Sequence, residues 1–277
     1  MQGFVARPEN GIVWISGASS GIGRALALKL ASEGYDVAVT ARDHRKLVEL
    51  QGEAGDLPGS IIVLDGDVTD PKDMEHVVAA IEYEHGTLAM AVLNAGTYIS
   101  VDVAELSRED FEKSFAVNLS GVVNCLVPAV RHMKVKGHGQ IAIVSSATGY
   151  GGQPAGAAYG AAKAALINMA ESLKIDLEAL GIRVQLVSPG FVDTETARNS
   201  SFAVPTPISA EKAAEEIAAG LKSQSFEIAF PRGFAYRMKL LRLLPYGLYF
   251  RAVAWAAGWN SRGPGAPGRS AAPHPAE

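Results

Sequence analysis

The chain carries a single cysteine among its 277 residues, so no disulfide can form within it, and a reducing compartment fits. Cys125 lies in the apolar run Val122–Val127, where a small core side chain is the plain reading and a reactive thiol the sharper one. Basic charge is also in short supply. The net charge is −4 and the pI near 5.9, which gives no electrostatic case for binding nucleic acid. No stretch reaches the about 20 uninterrupted apolar residues of a membrane span. Met1 to Asn10 lack an apolar run of the length a signal peptide needs. There is no internal repeat, and no metal site is expected. Together these absences point to a soluble cytoplasmic protein.

Hydrophobic residues make up 48% of the chain and charged residues 19%, enough apolar material for one packed core. Strand-like runs occur at Ile12–Ser16, Asp36–Thr40, Ser60–Asp65, Met90–Asn94, Gln140–Ser145, Arg183–Ser188 and Glu227–Phe230. Most are continuously apolar, as in strands covered on both faces. Helical patterns lie between them near 21–34, 43–54, 70–85, 107–136, 157–180 and 209–223. That alternation predicts parallel βαβ units with right-handed crossovers. The expected fold is α/β: a single doubly wound Rossmann-type domain over residues 1–231, with a mostly parallel seven-stranded sheet and helices on both faces.

After the first strand comes Ser16-Gly17-Ala18-Ser19-Ser20-Gly21-Ile22-Gly23, opening a helix. Small residues allow a sharp turn and close approach of a pyrophosphate, and the helix N-terminus offers free N–H groups. Such a turn alone is weak evidence; its place between strand and helix strengthens it. About 20 residues on, where a nicotinamide dinucleotide's ribose is sorted, the sequence reads Thr40-Ala41-Arg42-Asp43. NAD calls for a carboxylate at the 2′-hydroxyl. Ala41 takes that place, and the Arg42 guanidinium suits the 2′-phosphate of NADP. The competing reading makes Arg42 a solvated charge and gives the ribose to Asp43, leaving NAD in play. Asp67, with Val68, ends the third strand and suits either the adenine amino group or the turn into Asp70-Pro71.

Tyr159 and Lys163 are four apart in an alanine-rich helical segment, which stacks them on one face. A tyrosine with a pKa of about 10 is a poor base at neutral pH. A nearby ammonium is expected to bring it down towards the range where acid–base catalysis works. Ser146, thirteen residues before Tyr159, ends a buried strand and can hold a carbonyl or alcohol oxygen beside the tyrosine hydroxyl. Asn118 interrupts an apolar helical stretch. It serves either as a structural hydrogen bond within the helix or at a kink whose carbonyl holds water beside Lys163.

These residues, with Leu93-Asn94-Ala95-Gly96 and Ser188-Pro189-Gly190, resemble the short-chain dehydrogenase/reductase family in order and spacing over roughly residues 10 to 231. The resemblance implies a catalytic tetrad of Asn118, Ser146, Tyr159 and Lys163. It implies a cofactor site that takes Gly17, Ser19, Ser20, Gly21, Ile22 and Gly23 at the phosphates and adenosine. Asn94, Ala95 and Gly96 would form its floor, and Pro189, Gly190, Val192 and Thr194 would lie at the nicotinamide amide. Lys163 would also bind the nicotinamide ribose. The implied activity is NADP(H)-dependent hydride transfer between a carbonyl and a secondary alcohol. A cofactor-binding sensor or scaffold without turnover is the alternative, disfavoured because both Tyr159 and Lys163 remain. A lyase or epimerase would carry a larger C-terminal domain.

The segment 147–158 has four glycines and few charges, which favours an apolar, lipid-like carbonyl or alcohol as substrate. Arg198 is the nearest candidate anchor for a carboxylate or phosphate, with a solvated surface charge as the competing reading. Residues 232–259 hold five basic side chains and no acidic ones. Tyr236, Leu240, Leu243 and Leu244 follow helical spacing; Pro245 then breaks the helix, and Leu248, Ala252, Trp255 and Trp259 repeat the pattern. This amphipathic extension, 232–260, fits peripheral contact with a membrane, a cover over the pocket, or a subunit interface. It argues against a tetramer and for a homodimer through helices 107–136 and 157–180. Residues 261–277, rich in Gly, Pro, Ala and Ser, are expected to be a disordered tail.

Overall fold

The computed structural model describes residues 3–194 and 207–257. Seven strands form one sheet: β1 (Ile12–Ser16), β2 (Val37–Thr40), β3 (Ile61–Val63), β4 (Leu88–Leu93), β5 (Gly139–Val144), β6 (Ile182–Pro189) and β7 (Glu227–Phe230). Their order is β3-β2-β1-β4-β5-β6-β7 and every pairing is parallel. The doubly wound α/β expectation is met. Every residue of β1, β4, β5 and β6 is buried, which is why these strands read as mostly apolar runs, with Gln140, Arg183 and Gln185 as buried polar exceptions.

Alternate residues of each strand serve opposite faces. Val13 and Ile15 pack with Leu26 and Leu30 of α1 (Gly21–Ser32), with Leu47 and Leu50 of α2 (His44–Glu53), and with Ile217 of a helix over Ala210–Lys222. Ile12 and Trp14 face the other way, onto Met74 of α3 (Pro71–Ala80), Cys125 and Leu166. Cys125 is therefore core, and burial pushes its thiol up to about 12.

The second layer contains the longest helical stretch, Arg108–Lys136. By length and composition it matches a membrane span, yet here it packs against the sheet. It consists of α4 (Arg108–Phe115), a π-helical turn Ala116–Ser120, and α5 (Gly121–Lys136). The expected interruption at Asn118 is thus a π turn, a device that often re-aims groups at functional sites. α6 (Ala157–Glu178) lies beside it, and α7 (Ala210–Lys222) covers the other face. Beyond β7 the chain forms α8 (Arg232–Arg242) and α9 (Tyr246–Ala256), with Pro245 opening α9. Arg198, Trp259 and the tail 261–277 lie outside the described residues.

The sheet order reverses direction between β1 and β4. In open parallel sheets that point leaves a crevice beyond the carboxyl ends of the strands. Gly17, Arg42, Asp67, Asn94, Ser146 and Gly190 each follow the end of a different strand, β1 to β6 in turn. One fold rule therefore gathers residues spread over some 170 positions.

Candidate active site

The glycine turn is built for close approach. Gly17 has φ +71°, and a Cβ there would lie 2.6 Å from the Cα of Ala95. A Cβ on Gly23 would meet the Gly17 carbonyl at 2.3 Å and Asn94 Nδ2 at 2.6 Å. Asn94 ties β4 to this turn: its Nδ2 donates to the carbonyls of Ser16 (3.1 Å) and Gly17 (3.0 Å). Ser16 Oγ in turn accepts from the N–H groups of Asn94 and Ala95. Ser20, the residue before α1, makes no side-chain cap. The helix N-terminus is therefore not closed by its own capping residue, and an anion suits it. Across the crevice, the Thr194 methyl comes within 3.0 Å of a Cβ position on Gly21. Val192 pairs with Ile208, which holds that segment in place.

Asp43 caps α2, its Oδ1 accepting from the Lys46 N–H at 3.2 Å, while Arg42 is exposed and free of ion pairs among the described residues. Asp67 does hold its turn: Oδ1 accepts from Thr69 N and Oγ1, both at 2.9 Å. The neighbouring Val68 is buried, and its carbonyl accepts from Asn124.

Asn118 is fully buried in the π turn. Its Oδ1 accepts from Thr97 N at 3.0 Å, and its Nδ2 donates to Thr97 O at 2.8 Å and Ser114 O at 2.9 Å. The side chain thus clamps the loop after β4 to the helix. A Cβ on Gly96 would lie 3.0 Å from Asn118 Oδ1 and 3.5 Å from Lys163 Nζ, so all three meet at one point.

Lys163 is only 2% exposed. Its Nζ donates to the Val144 carbonyl at 2.9 Å, and it lies 5.6 Å from the centre of the Tyr159 ring. Loss of hydration pushes its pKa down to about 8. Burial pushes the Tyr159 hydroxyl up to about 12, with the Ser146 hydroxyl offsetting part of that rise. The expectation that Lys163 would draw Tyr159 towards neutral pH is therefore not met. Desolvation dominates both shifts, and at neutral pH the pair is an ammonium beside an intact phenol. Ser146 Oγ accepts from Thr148 N at 3.2 Å and lies 3.5 Å from the Pro189 carbonyl, which links β5 to Pro189-Gly190.

Three contributors escaped the sequence reading. Tyr98 lies against Tyr159 with ring centres 5.2 Å apart. Ser145 Oγ donates to the Lys163 carbonyl at 2.8 Å, fixing α6 to β5. Glu227 accepts from Tyr150 and from Ser188 Oγ (2.9 Å), and pairs with Lys239 of α8. No sequence pattern flags these, because each joins positions distant in the chain.

A family model described as short chain dehydrogenase matches residues 11–203. An oxidoreductase of Myxococcus xanthus is 32% identical over 239 residues, covering 86% of this chain and 94% of its own. A 3-oxoacyl-[acyl-carrier-protein] reductase of Thermotoga maritima is 35% identical over 188 residues, or 68% of this chain and 76% of its own. Among solved structures, an alcohol dehydrogenase of Thermococcus sibiricus, complexed with 5-hydroxy-NADP, superimposes with a TM-score of 0.71. It is 26% identical, and the match covers 79% of this chain and 95% of that one.

Proposed function

Since the chain belongs to the short-chain dehydrogenase family and is an oxidoreductase of small molecules, we propose that it uses NADPH to reduce the carbonyl of an apolar, lipid-like compound. The observation that carries this is the convergence of Ser146, Tyr159 and Lys163 beside a backbone cradle too tight for any Cβ at Gly17 and Gly23. The cradle fits a pyrophosphate, Asn94 and Gly96 line its floor, and Thr194 closes it from the β6 side. A bound nicotinamide dinucleotide supplies the hydride. Ser146 Oγ holds the carbonyl oxygen, and Tyr159 gives its proton to that oxygen as the alcohol forms. Lys163, charged at neutral pH, stabilises the phenolate left behind.

The choice of NADP rests on Arg42, which is exposed, while Asp43 is occupied as a helix cap. Reduction, rather than oxidation, suits a tyrosine held protonated by burial. An apolar substrate fits the ring of Tyr98 and the charge-poor segment 147–156. The Thermotoga relative's substrate, a 3-oxoacyl chain, is of that kind. We place the enzyme in the cytoplasm as a homodimer, an assembly favoured by the exposed Val127 and Val135 of α5 and Ile175 of α6.

The test is loss of NADPH absorbance with a panel of lipophilic ketones and aldehydes, with NADH and Tyr159→Phe alongside. NADPH turnover is expected to fall by about 10²–10⁴-fold in the variant. Tight NADPH binding without turnover across the panel would move the chain to a sensor role, and preference for NADH would overturn the reading of Arg42.

A further inference from the structure

The hairpin α8–α9 has an inner side committed to the enzyme and an outer side that none of the described residues covers. Inward, Ala235 and Tyr249 are buried, and Tyr249 Oη donates to the Gly152 carbonyl at 2.9 Å. Lys239 pairs with Glu227. These contacts fix which way the outer side points. Outward, Tyr236 (69%), Leu240 (66%) and Leu243 (79%) recur at helical spacing on α8 and its end, and Phe250 (61%) and Trp255 (79%) continue the surface on α9.

Charge decides what covers this face. Between 232 and 257 there is no carboxylate, and four arginines stand with Lys239 on a chain whose net charge is −4. A two-fold pairing of this face with a second copy would set arginine against arginine with no acid on either side, which is unfavourable. An acyl surface carrying anionic headgroups answers both features at once: it takes the Leu, Phe and Trp side chains and neutralises Arg232, Arg237 and Arg251. Each helix has 11 residues, about 16 Å, too short to cross a bilayer.

We propose that α8–α9 docks the enzyme on an anionic membrane surface, lying in the interface without spanning it. Tyr249 reaches the loop that follows Ser146, so docking brings the substrate cleft to the lipid, where apolar carbonyl compounds partition.

The experiment is flotation of the full chain with phosphatidylcholine vesicles, alone or mixed with phosphatidylglycerol, without cofactor or substrate. Its outcome is thus independent of the reductase reading. Binding to the anionic vesicles alone, weakened by salt, is expected. Leu240→Glu with Trp255→Glu, and separately Arg237→Glu with Arg251→Glu, should each reduce partitioning by at least about tenfold. Their melting curves and turnover of a water-soluble ketone should stay as in the parent. A chain that stays at the bottom of both gradients overturns the proposal, as do variants that float like the parent. So does an apolar variant whose solution mass halves, which would make this face an interface between copies.

Discussion

Lys163 offers a sharp test of the site's electrostatics in the protein without cofactor. Burial lowers its pKa from 10.5 to about 8. Below the folded value both folded and unfolded chains hold the proton, and the full cost of burying the ammonium, about 3 kcal/mol, opposes folding. Between the two values the unfolded chain binds more protons, so stability rises with pH. Linkage puts the gain at about 2 kcal/mol from about pH 7 to about pH 9.5. Cys125 and Tyr159, both raised to about 12, act with the opposite sign above their unfolded values. Comparison with Lys163→Met removes them, because they are common to both proteins. Urea unfolding at several pH values gives each stability, and the parent-minus-variant difference should climb across that window. Parallel curves would refute the reasoning, since Lys163 would then titrate as an ordinary exposed amine.

Two further substitutions probe the neighbouring parts. Asn118→Ala leaves the half-buried Thr97 N–H and carbonyl, and the buried Ser114 carbonyl, without their side-chain partner, so stability should drop by about 2–4 kcal/mol. The melting temperature should fall by roughly 3–8 °C; an unchanged melt would mean that water replaces the amide fully. Arg42→Ala should raise KM for NADPH by roughly ten- to a hundredfold, the worth of a charge-assisted contact, and leave NADH kinetics alone. Equal effects on both cofactors would remove Arg42 from the 2′-phosphate.

What could be read from residue order was whatever obeys a local period. β1, β4, β5 and β6 are buried on both faces, so their runs stood out. The Tyr159–Lys163 pair is a helical spacing, and the glycine turn sits where a strand hands over to a helix. Asn118 was visible as a polar amide in an apolar stretch, but its partners Thr97 and Ser114 were not, because the π turn that aims it leaves no pattern of its own. The direction of the tyrosine shift was misread for a related reason. Spacing tells that Lys163 is near Tyr159, whereas desolvation depends on how β5, α6 and the loop after β4 close around both. Tyr98 escaped for the same cause: nothing in residue order sets its ring against Tyr159.

Glu227 shows how the extension and the catalytic loop act as one unit. It stands at the start of the edge strand β7, and burial alone would raise its pKa. Lys239, Tyr150 and Ser188 outweigh that and hold it below the usual carboxylate value. Tyr150 belongs to the loop that begins at Ser146, and Lys239 comes from α8. The α8 ammonium thus helps to hold the carboxylate ionised, and the carboxylate serves the loop as an acceptor. Tyr249 adds a second tie at Gly152, where a Cβ on Gly151 would come 2.4 Å from the Tyr249 oxygen. The conformation of the segment that lines the cleft beside Ser146 is therefore set from two sides. β5 fixes its start, and the two C-terminal helices fix its middle, so whatever engages their outer face acts one hydrogen bond away from the loop.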